Sequence, residues 1–272
     1  MSWLELEGKT ALVTGGALGL GRAIGLGLAG VGVRVVVADI NEDAGREAVT
    51  EIEAAGGESR FAACNVAEPD SVEAAVRAAV EAFGRLDILV NNAGVILPRL
   101  LVDPAGREEL DAAMWDRVFA VNTRGQFLCA QAAARAMMAD RQGGVIVMMN
   151  SESGLEGSEG QSVYAATKAA GICMTRSWAK ELGKHGIRVV GIAPGIMEAT
   201  ALRTESYERA LAYTRGKTVE ELRAGYVNKS SIPLGRDGKL AEVADLVCFL
   251  ASRRASYIHG TTVNISGGKS RG

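Results

Sequence analysis

Residues 14–21 decide the fold of this chain, and they read Thr14-Gly15-Gly16-Ala17-Leu18-Gly19-Leu20-Gly21. A short apolar run, Thr10–Thr14, precedes the glycines and helix-like sequence follows them, so they connect a predicted strand to a predicted helix. In such a turn Gly15 permits a tight bend, Gly19 lets the backbone approach a pyrophosphate, and Gly21 allows the helix to pack closely on the strand. The free N–H groups at the helix N-terminus favour a phosphate there. This stretch predicts a dinucleotide site; the alternative is a glycine-rich turn without a ligand.

Strand-like and helix-like segments alternate along the rest of the chain. Val33–Ala38 is almost wholly apolar, as a strand buried on both faces should be, and Pro69–Phe83 has apolar residues at helical period. The alternation predicts βαβ units with right-handed crossovers. We therefore expect one α/β domain over residues 1–272, a Rossmann-type doubly wound parallel sheet of about seven strands flanked by helices. We further expect one long helix over Trp115–Met137 and a charged, irregular insertion at about 197–232 that covers the substrate.

Composition excludes several classes of function. The formal net charge is −2 and aromatic residues make up 5%, whereas a nucleic-acid binder usually has a basic surface or stacking aromatics. No apolar run approaches the ~20 residues of a membrane helix, and the N-terminus does not resemble a signal peptide. The four cysteines lie far apart and there are only two histidines, so no metal site is expected. These features predict a cytoplasmic protein without nucleic-acid or membrane partners.

Further motifs follow the glycine loop, namely Asn91-Asn92-Ala93-Gly94, Ser151, Tyr164-Ala165-Ala166-Thr167-Lys168 and Ala193-Pro194-Gly195. Together with the spacing T-G-x-x-x-G-x-G, they occur in the order of the short-chain dehydrogenase/reductase family, which the chain resembles over nearly its whole length. The resemblance implies an oxidoreductase that uses a nicotinamide dinucleotide and forms a homotetramer.

The candidate catalytic residues come from three parts of the chain. Tyr164 and Lys168 are spaced to share one helix face, where a cation would lower the pKa of the phenol and let it exchange the alcohol proton. Ser151 follows a strand and can orient the substrate oxygen. Asn122 falls on an apolar helix stripe, where an unsatisfied amide costs about 1–3 kcal/mol, so it needs partners. It is either a core asparagine that links two backbones or, as the resemblance implies, also a member of a tetrad with Ser151, Tyr164 and Lys168, holding a water in a proton relay.

Asp39 indicates which dinucleotide is used. A carboxylate at the end of the second strand accepts hydrogen bonds from both ribose hydroxyls and repels a 2′-phosphate, which predicts NAD rather than NADP. Asn65 stands where the family usually has aspartate, although its amide oxygen can still accept a hydrogen bond. The family often has threonine five positions after Pro194, where this chain has Ala199 followed by Thr200. The full set of cofactor-binding residues implied by the resemblance is Gly15, Ala17, Leu18, Gly19, Leu20, Asp39, Ile40, Asn65, Val66, Asn92, Ala93, Gly94, Tyr164, Lys168, Pro194, Gly195 and Ile196.

The insertion and the tail bear on the substrate. The insertion is polar and contains Arg203, Arg209, Arg215, Lys217, Arg223 and Lys229. Such side chains suit a polyhydroxylated substrate, and arginines can hold a phosphate with two hydrogen bonds. The stretches SESGLEGSEGQSVYAATK at 151–168, YTRGKTVEELR at 213–223 and NISGGKSRG at 264–272 resemble the branch of the family that interconverts D-sorbitol 6-phosphate and D-fructose 6-phosphate with NAD.

We expect substrate contacts from Ser153, Glu156, Gln161 and Arg203, with Lys269 and Arg271 of the tail as further candidate cations for the phosphate. Three alternatives remain open. The chain could be a dehydrogenase of an unphosphorylated polyol or sugar, a 3-oxoacyl reductase, or a non-catalytic NAD sensor on the same fold.

Overall fold

The computed structural model describes residues 3–198, 200, 203–228 and 231–271. Within those ranges, seven parallel strands form one sheet in the order β3-β2-β1-β4-β5-β6-β7. The strands are β1 (Thr10–Thr14), β2 (Arg34–Asp39), β3 (Ser59–Ala63), β4 (Ile88–Asn91), β5 (Gly144–Met149), β6 (Ile187–Pro194) and β7 (Thr262–Ile265). The order reverses between β1 and β4, which opens a crevice at the carboxyl ends of the strands. This sheet confirms the expected fold class.

Helices cover both faces of the sheet. They are α1 (Gly19–Gly30), α2 (Glu42–Ala54), α3 (Pro69–Phe83), α4 (Ala112–Phe119), α5 (Gly125–Asp140), α6 (Ser153–Glu156), α7 (Ser162–Leu182), α8 (Glu205–Thr214), α9 (Val219–Val227) and α10 (Leu240–Ala251). One apolar core lies under α1, α2 and α10, and a second lies under α3, α5 and α7. Successive β2 residues alternate between them, with Val35 and Val37 in the first core and Val36 in the second. That alternation explains why β2 is apolar on both faces.

Local signals set several helix boundaries. The predicted bounds of Pro69–Phe83 are confirmed, with proline in the first turn and Gly84 in the left-handed region at the end. The Asn41 side chain accepts a hydrogen bond from the Ala44 N–H at 3.1 Å and so caps α2. Among the described residues, none of the helices combines the length and the apolarity needed to cross a membrane.

The long helix expected over Trp115–Met137 forms without a break, but a π-helical turn interrupts its α-helical geometry. Helix α4 ends at Phe119, a π-helical turn occupies Ala120–Arg124, and α5 begins at Gly125. A π turn inserts one extra residue into a helical turn and is frequent at functional sites. The apolar stripe continues across the π turn, so the hydrophobic periodicity of the sequence does not reveal the extra residue.

The irregular structure expected in the insertion is wrong where the chain is described, because α8 and α9 form there. Thr204 accepts a hydrogen bond from the Tyr207 N–H at 3.2 Å, and Thr218 accepts one from the Glu221 N–H at 3.1 Å. Glu221 in turn accepts a hydrogen bond from the Thr218 N–H at 2.8 Å, which completes a capping box. Ala199 and Lys229 lie outside the described residues.

Candidate active site

A cavity of about 700 Å³ follows the carboxyl edge of the sheet from the glycine turn to helices α8 and α9. Its wall contains every residue expected to bind cofactor except Ala17, together with Ser151 and the expected substrate contacts Ser153, Glu156, Gln161 and Arg203. Asn122 and Ala17 lie behind the wall. The fold thus brings together residues that are far apart in the sequence.

The glycine turn forms one end of the cavity. Gly15 adopts φ +63°, in the left-handed region that favours glycine. A Cβ on Gly21 would lie 2.0 Å from the Gly15 carbonyl oxygen, so α1 packs closer to the turn than a side chain would permit. The Asn92 amide donates to the Thr14 and Gly15 carbonyls at 3.0 and 3.1 Å, which ties the end of β4 to this turn. These contacts fix the backbone where the sequence predicts a pyrophosphate.

Thr200 also lies beside the glycine turn. A Cβ on Gly19 would come within 3.2 Å of the Thr200 Cβ. The threonine that is displaced by one position in the sequence is therefore placed beside the predicted cofactor site.

Asp39 is held by two backbone N–H groups. Its Oδ2 accepts a hydrogen bond from the Ala17 N–H at 3.1 Å, and its Oδ1 accepts one from the Asn41 N–H at 3.0 Å. A carboxylate has about four acceptor positions, so capacity remains for further donors. Ala17 is buried, and its contact with Asp39 orients the carboxylate that lines the cavity.

The next strand ends contribute Asn65 and Val66. The Asn65 Oδ1 accepts a hydrogen bond from the Ala67 N–H at 3.1 Å, and the Asn65 N–H donates to Ser71 Oγ at 2.9 Å. Both Asn65 and Val66 line the cavity, as does Ile40, whose side chain is mostly exposed.

Asn122 lies in the π-helical turn and is fully buried. Its Oδ1 accepts a hydrogen bond from the Val95 N–H at 2.7 Å, and its Nδ2 donates to the Val95 carbonyl at 2.9 Å and to Thr167 Oγ1 at 3.2 Å. The amide therefore links the loop after β4 to α7. A Cβ on Gly94 would lie 3.3 Å from Asn122 Oδ1 and 3.7 Å from Lys168 Nζ, which places these two polar groups side by side behind a glycine.

Lys168, Tyr164 and Ser151 meet at the centre of the cavity. Lys168 is buried, its Nζ donates to the Met149 carbonyl at 2.7 Å, and it lies 5.6 Å from the centre of the Tyr164 ring. The Ser151 side chain lies close enough to Tyr164 to lower the pKa of its phenol. The Ser153 N–H donates to Ser151 Oγ at 3.2 Å and orients that hydroxyl.

Burial sets the proton affinities of this group. Loss of water raises the pKa of Tyr164 from 10.0 to about 12, although the Ser151 side chain acts in the opposite direction. Burial likewise lowers the pKa of Lys168 from 10.5 to about 8. The expectation that Lys168 lowers the pKa of Tyr164 is therefore wrong for this structure. The ammonium lies over the ring face and donates to a backbone carbonyl, while desolvation disfavours the phenolate.

The far end of the cavity is polar. Gln161 is buried, and its Nε2 donates to the Tyr207 hydroxyl at 2.9 Å. The Arg203 guanidinium lies 4.0 Å from the centre of the Tyr226 ring. Tyr207 and Tyr226 were not candidates from the sequence, because only the folding of α8 and α9 turns them towards the cavity. The sequence signal that could have revealed these helices is the capping threonine before each of them, Thr204 and Thr218.

The tail folds back onto the loop beside Ser151. Lys269 Nζ pairs with Glu152 Oε1 at 2.8 Å, and the Arg271 N–H donates to Glu156 Oε1 at 3.1 Å. Lys269 and Glu152 both line the cavity. Lys269 thus reaches the site within its own chain, but a carboxylate already balances its charge.

Comparisons with known proteins agree with this geometry. The family model described as short chain dehydrogenase matches residues 9–210. Sorbitol-6-phosphate 2-dehydrogenase of Klebsiella pneumoniae is 52% identical, covering 100% of this chain and 99% of that protein. The 3-oxoacyl-[acyl-carrier-protein] reductase of Thermotoga maritima is 38% identical, covering 97% and 99% respectively.

A solved structure shares the fold over nearly its full length. The short-chain type dehydrogenase/reductase from Mycobacterium marinum has a TM-score of 0.85 and 33% identity, covering 99% of this chain and 98% of that one. Dehydrogenases of this family use nicotinamide cofactors. The chain therefore belongs to the short chain dehydrogenase family and is an oxidoreductase.

Proposed function

We propose that this enzyme interconverts a polyol phosphate and a ketose phosphate with NAD, namely D-sorbitol 6-phosphate and D-fructose 6-phosphate. The main support is the end-to-end similarity, at 52% identity, to a relative named sorbitol-6-phosphate 2-dehydrogenase. The similarity spans the glycine turn, the insertion and the tail, so it includes the residues around the substrate end of the cavity. The polar wall formed by Glu152, Gln161 and Arg203 suits a hydroxylated substrate.

The choice of NAD rests on Asp39. Its carboxylate lines the cavity beside the glycine turn, where it would accept ribose hydroxyls and repel a 2′-phosphate. The tight approach of Gly21 to Gly15 fits a pyrophosphate at the start of α1. Asn65, Val66, Asn92 and the 193–196 segment would enclose the remainder of the dinucleotide.

The catalytic proton moves through the tetrad. Bound nicotinamide dinucleotide would supply the acceptor for a hydride from the substrate's C2 carbon. Tyr164 accepts the hydroxyl proton and Ser151 orients the substrate oxygen. Lys168, whose ammonium lies over the Tyr164 ring, would hold the nicotinamide ribose. Asn122 holds the loop after β4 against α7 next to Lys168, in a position to continue a proton relay.

We further propose that residues 1–272 form a single domain in which residues at about 197–232 cover the substrate. The helices α8 and α9 of that segment supply Tyr207 and Tyr226 to the cavity wall. We also propose a homotetramer, as the family resemblance implies, and a cytoplasmic location, as the sequence features predict.

The rival activities differ in the substrate they need. A 3-oxoacyl reductase is supported by the Thermotoga relative, but such reductases commonly use NADP, which Asp39 disfavours. A dehydrogenase of an unphosphorylated polyol is supported by the carboxylates Glu152 and Glu156 in the wall, which could accept hydrogen bonds from hydroxyls.

A substrate panel tests the proposal. Purified protein is assayed with NAD at alkaline pH, where the fraction of Tyr164 phenolate grows about tenfold per pH unit below its pKa. We expect kcat/KM for sorbitol 6-phosphate to exceed that for sorbitol, mannitol phosphate and 3-hydroxyacyl substrates. Absence of turnover with any polyol phosphate would contradict the substrate assignment and leave the family assignment intact.

A further inference from the structure

Arg203 and Arg215, at the substrate end of the cavity, differ in burial and in ion pairing from the two arginines of α8 and α9. Arg209 and Arg223 are exposed and pair with Glu205 and Glu208 respectively. Arg203 and Arg215 are half-buried cavity-lining residues, and neither has an ion pair within the part of the chain that the structure describes. A partly desolvated cation without a counterion is unfavourable unless a ligand supplies the negative charge.

The two guanidinium groups converge on the same pair of phenols. Each acts through its charge to lower the pKa of Tyr207 and of Tyr226, against the upward effects of burial and of the Glu208 carboxylate, which is itself paired with Arg223. The Arg203 guanidinium also stacks on the Tyr226 ring, 4.0 Å from its centre. Two like charges at one part of the wall repel each other, and an anion between them would relieve that repulsion.

This part of the wall is connected to the catalytic helix. Tyr207 accepts a hydrogen bond from Gln161 Nε2 at 2.9 Å, and Gln161 immediately precedes α7, the helix that contains Tyr164. Through this hydrogen bond, Gln161 fixes the position of Tyr207, and with it the side of the cavity that contains the two arginines, relative to Tyr164. Lys269, another cation in the wall, is paired with Glu152 and offers less net charge.

We propose that Arg203 and Arg215, framed by Tyr207 and Tyr226, form the subsite for the phosphate group of a phosphomonoester substrate. This inference rests on the proposed polyol-phosphate activity and assigns the residues that select the phosphorylated substrate. Guanidinium groups suit this role, because their planar donors match two phosphate oxygens at once.

The kinetic test compares Arg203→Gln and Arg215→Gln with Arg209→Gln, a matched control on α8 that is exposed and paired with Glu205. We expect each of the first two changes to raise the KM for sorbitol 6-phosphate by about 10- to 100-fold. The KM for unphosphorylated sorbitol should change less than threefold (a rough bound), and Arg209→Gln should behave as wild type. Equal losses with both substrates, or an equal effect of Arg209→Gln, would overturn the subsite.

A binding test separates the subsite from the activity. Inorganic phosphate is titrated calorimetrically into the protein saturated with NAD, so that the dinucleotide occupies its own phosphate site. Binding to wild type that weakens at least about tenfold in Arg203→Gln and Arg215→Gln, and not in Arg209→Gln, supports the subsite even if no polyol phosphate is turned over. Absence of phosphate binding to wild type, or equal binding to all four proteins, overturns it.

Discussion

Lys168 Nζ donates a hydrogen bond to the main-chain carbonyl of Met149 at 2.7 Å. Met149 ends β5, and Ser151 follows two residues later, so this bond ties α7 to the strand end that presents the serine. An ammonium has three donors, and only one is used in this bond. Lys168 thereby fixes the relative positions of Ser151 and Tyr164 and keeps its charge beside the phenol.

Removing the phenol should abolish turnover and spare the fold. Tyr164→Phe deletes the group that exchanges the substrate proton, so we expect kcat to fall by about 10²- to 10⁴-fold with unchanged NAD affinity. Steady-state kinetics and NADH fluorescence titration measure the two quantities. Ser162→Ala, an exposed change at the start of the same helix, is the control. Activity of Tyr164→Phe close to wild type would instead favour a non-catalytic NAD sensor.

The buried lysine should make stability depend on pH. The folded-state pKa of Lys168 is about 8, below its ordinary value of 10.5, so between these values the unfolded chain binds more protons than the folded chain. Stability therefore rises as pH increases from about 8 to 10.5, because the cost of the buried charge is relieved. Relative to Lys168→Met, we expect wild type to gain at most about 3 kcal/mol over this window.

Urea unfolding at several pH values measures that difference. Lys180→Met, which changes an exposed lysine of α7, should follow wild type. The raised pKa of Tyr164, about 12 against 10.0, reverses the trend only above pH 10, where the unfolded phenol loses its proton first. A wild-type curve parallel to that of Lys168→Met between pH 8 and 10 would show that the ammonium is not desolvated.

Neutralising Asp39 should weaken the preference for NAD over NADP. Asp39→Asn removes the charge that repels a 2′-phosphate and keeps one acceptor for the Ala17 N–H. We expect the KM for NAD to rise about 10-fold or more and the ratio of NAD to NADP efficiency to fall. Asp43→Asn, which changes an exposed carboxylate in the first turn of α2, is the control. An unchanged ratio in Asp39→Asn would place the discrimination elsewhere.

The tail should stabilise the site through Lys269. Lys269→Met leaves Glu152 without its cation, and because both side chains are partly buried we expect a loss of about 1–3 kcal/mol in the free energy of unfolding. Adding Glu152→Gln removes the orphaned charge and should restore part of that loss. A double-mutant cycle by urea unfolding gives the coupling energy, with exposed Lys184→Met as the control. A coupling energy near zero would mean that the pair does not hold the tail.

Local sequence patterns determined the sheet, its parallel crossovers and the position of the glycine turn. These patterns each involve only a few neighbouring residues, so they can be recognised in the sequence before the fold is known. They are the apolar residues of β2, the proline at the start of α3 and the spacing of Tyr164 and Lys168. The caps of α8 and α9 were equally local, and their signals predict helices where an irregular insertion was expected.

Only the tertiary structure decided how those residues act together. The π turn at Asn122 is stabilised by Val95, 27 positions earlier, and Lys269 reaches Glu152 across 117 positions. The direction of the Tyr164 pKa shift depends on how much water distant segments exclude from the phenol. Periodicity and capping depend on neighbours along the chain, whereas desolvation, ion pairing and the convergence of Arg203 and Arg215 depend on neighbours in space.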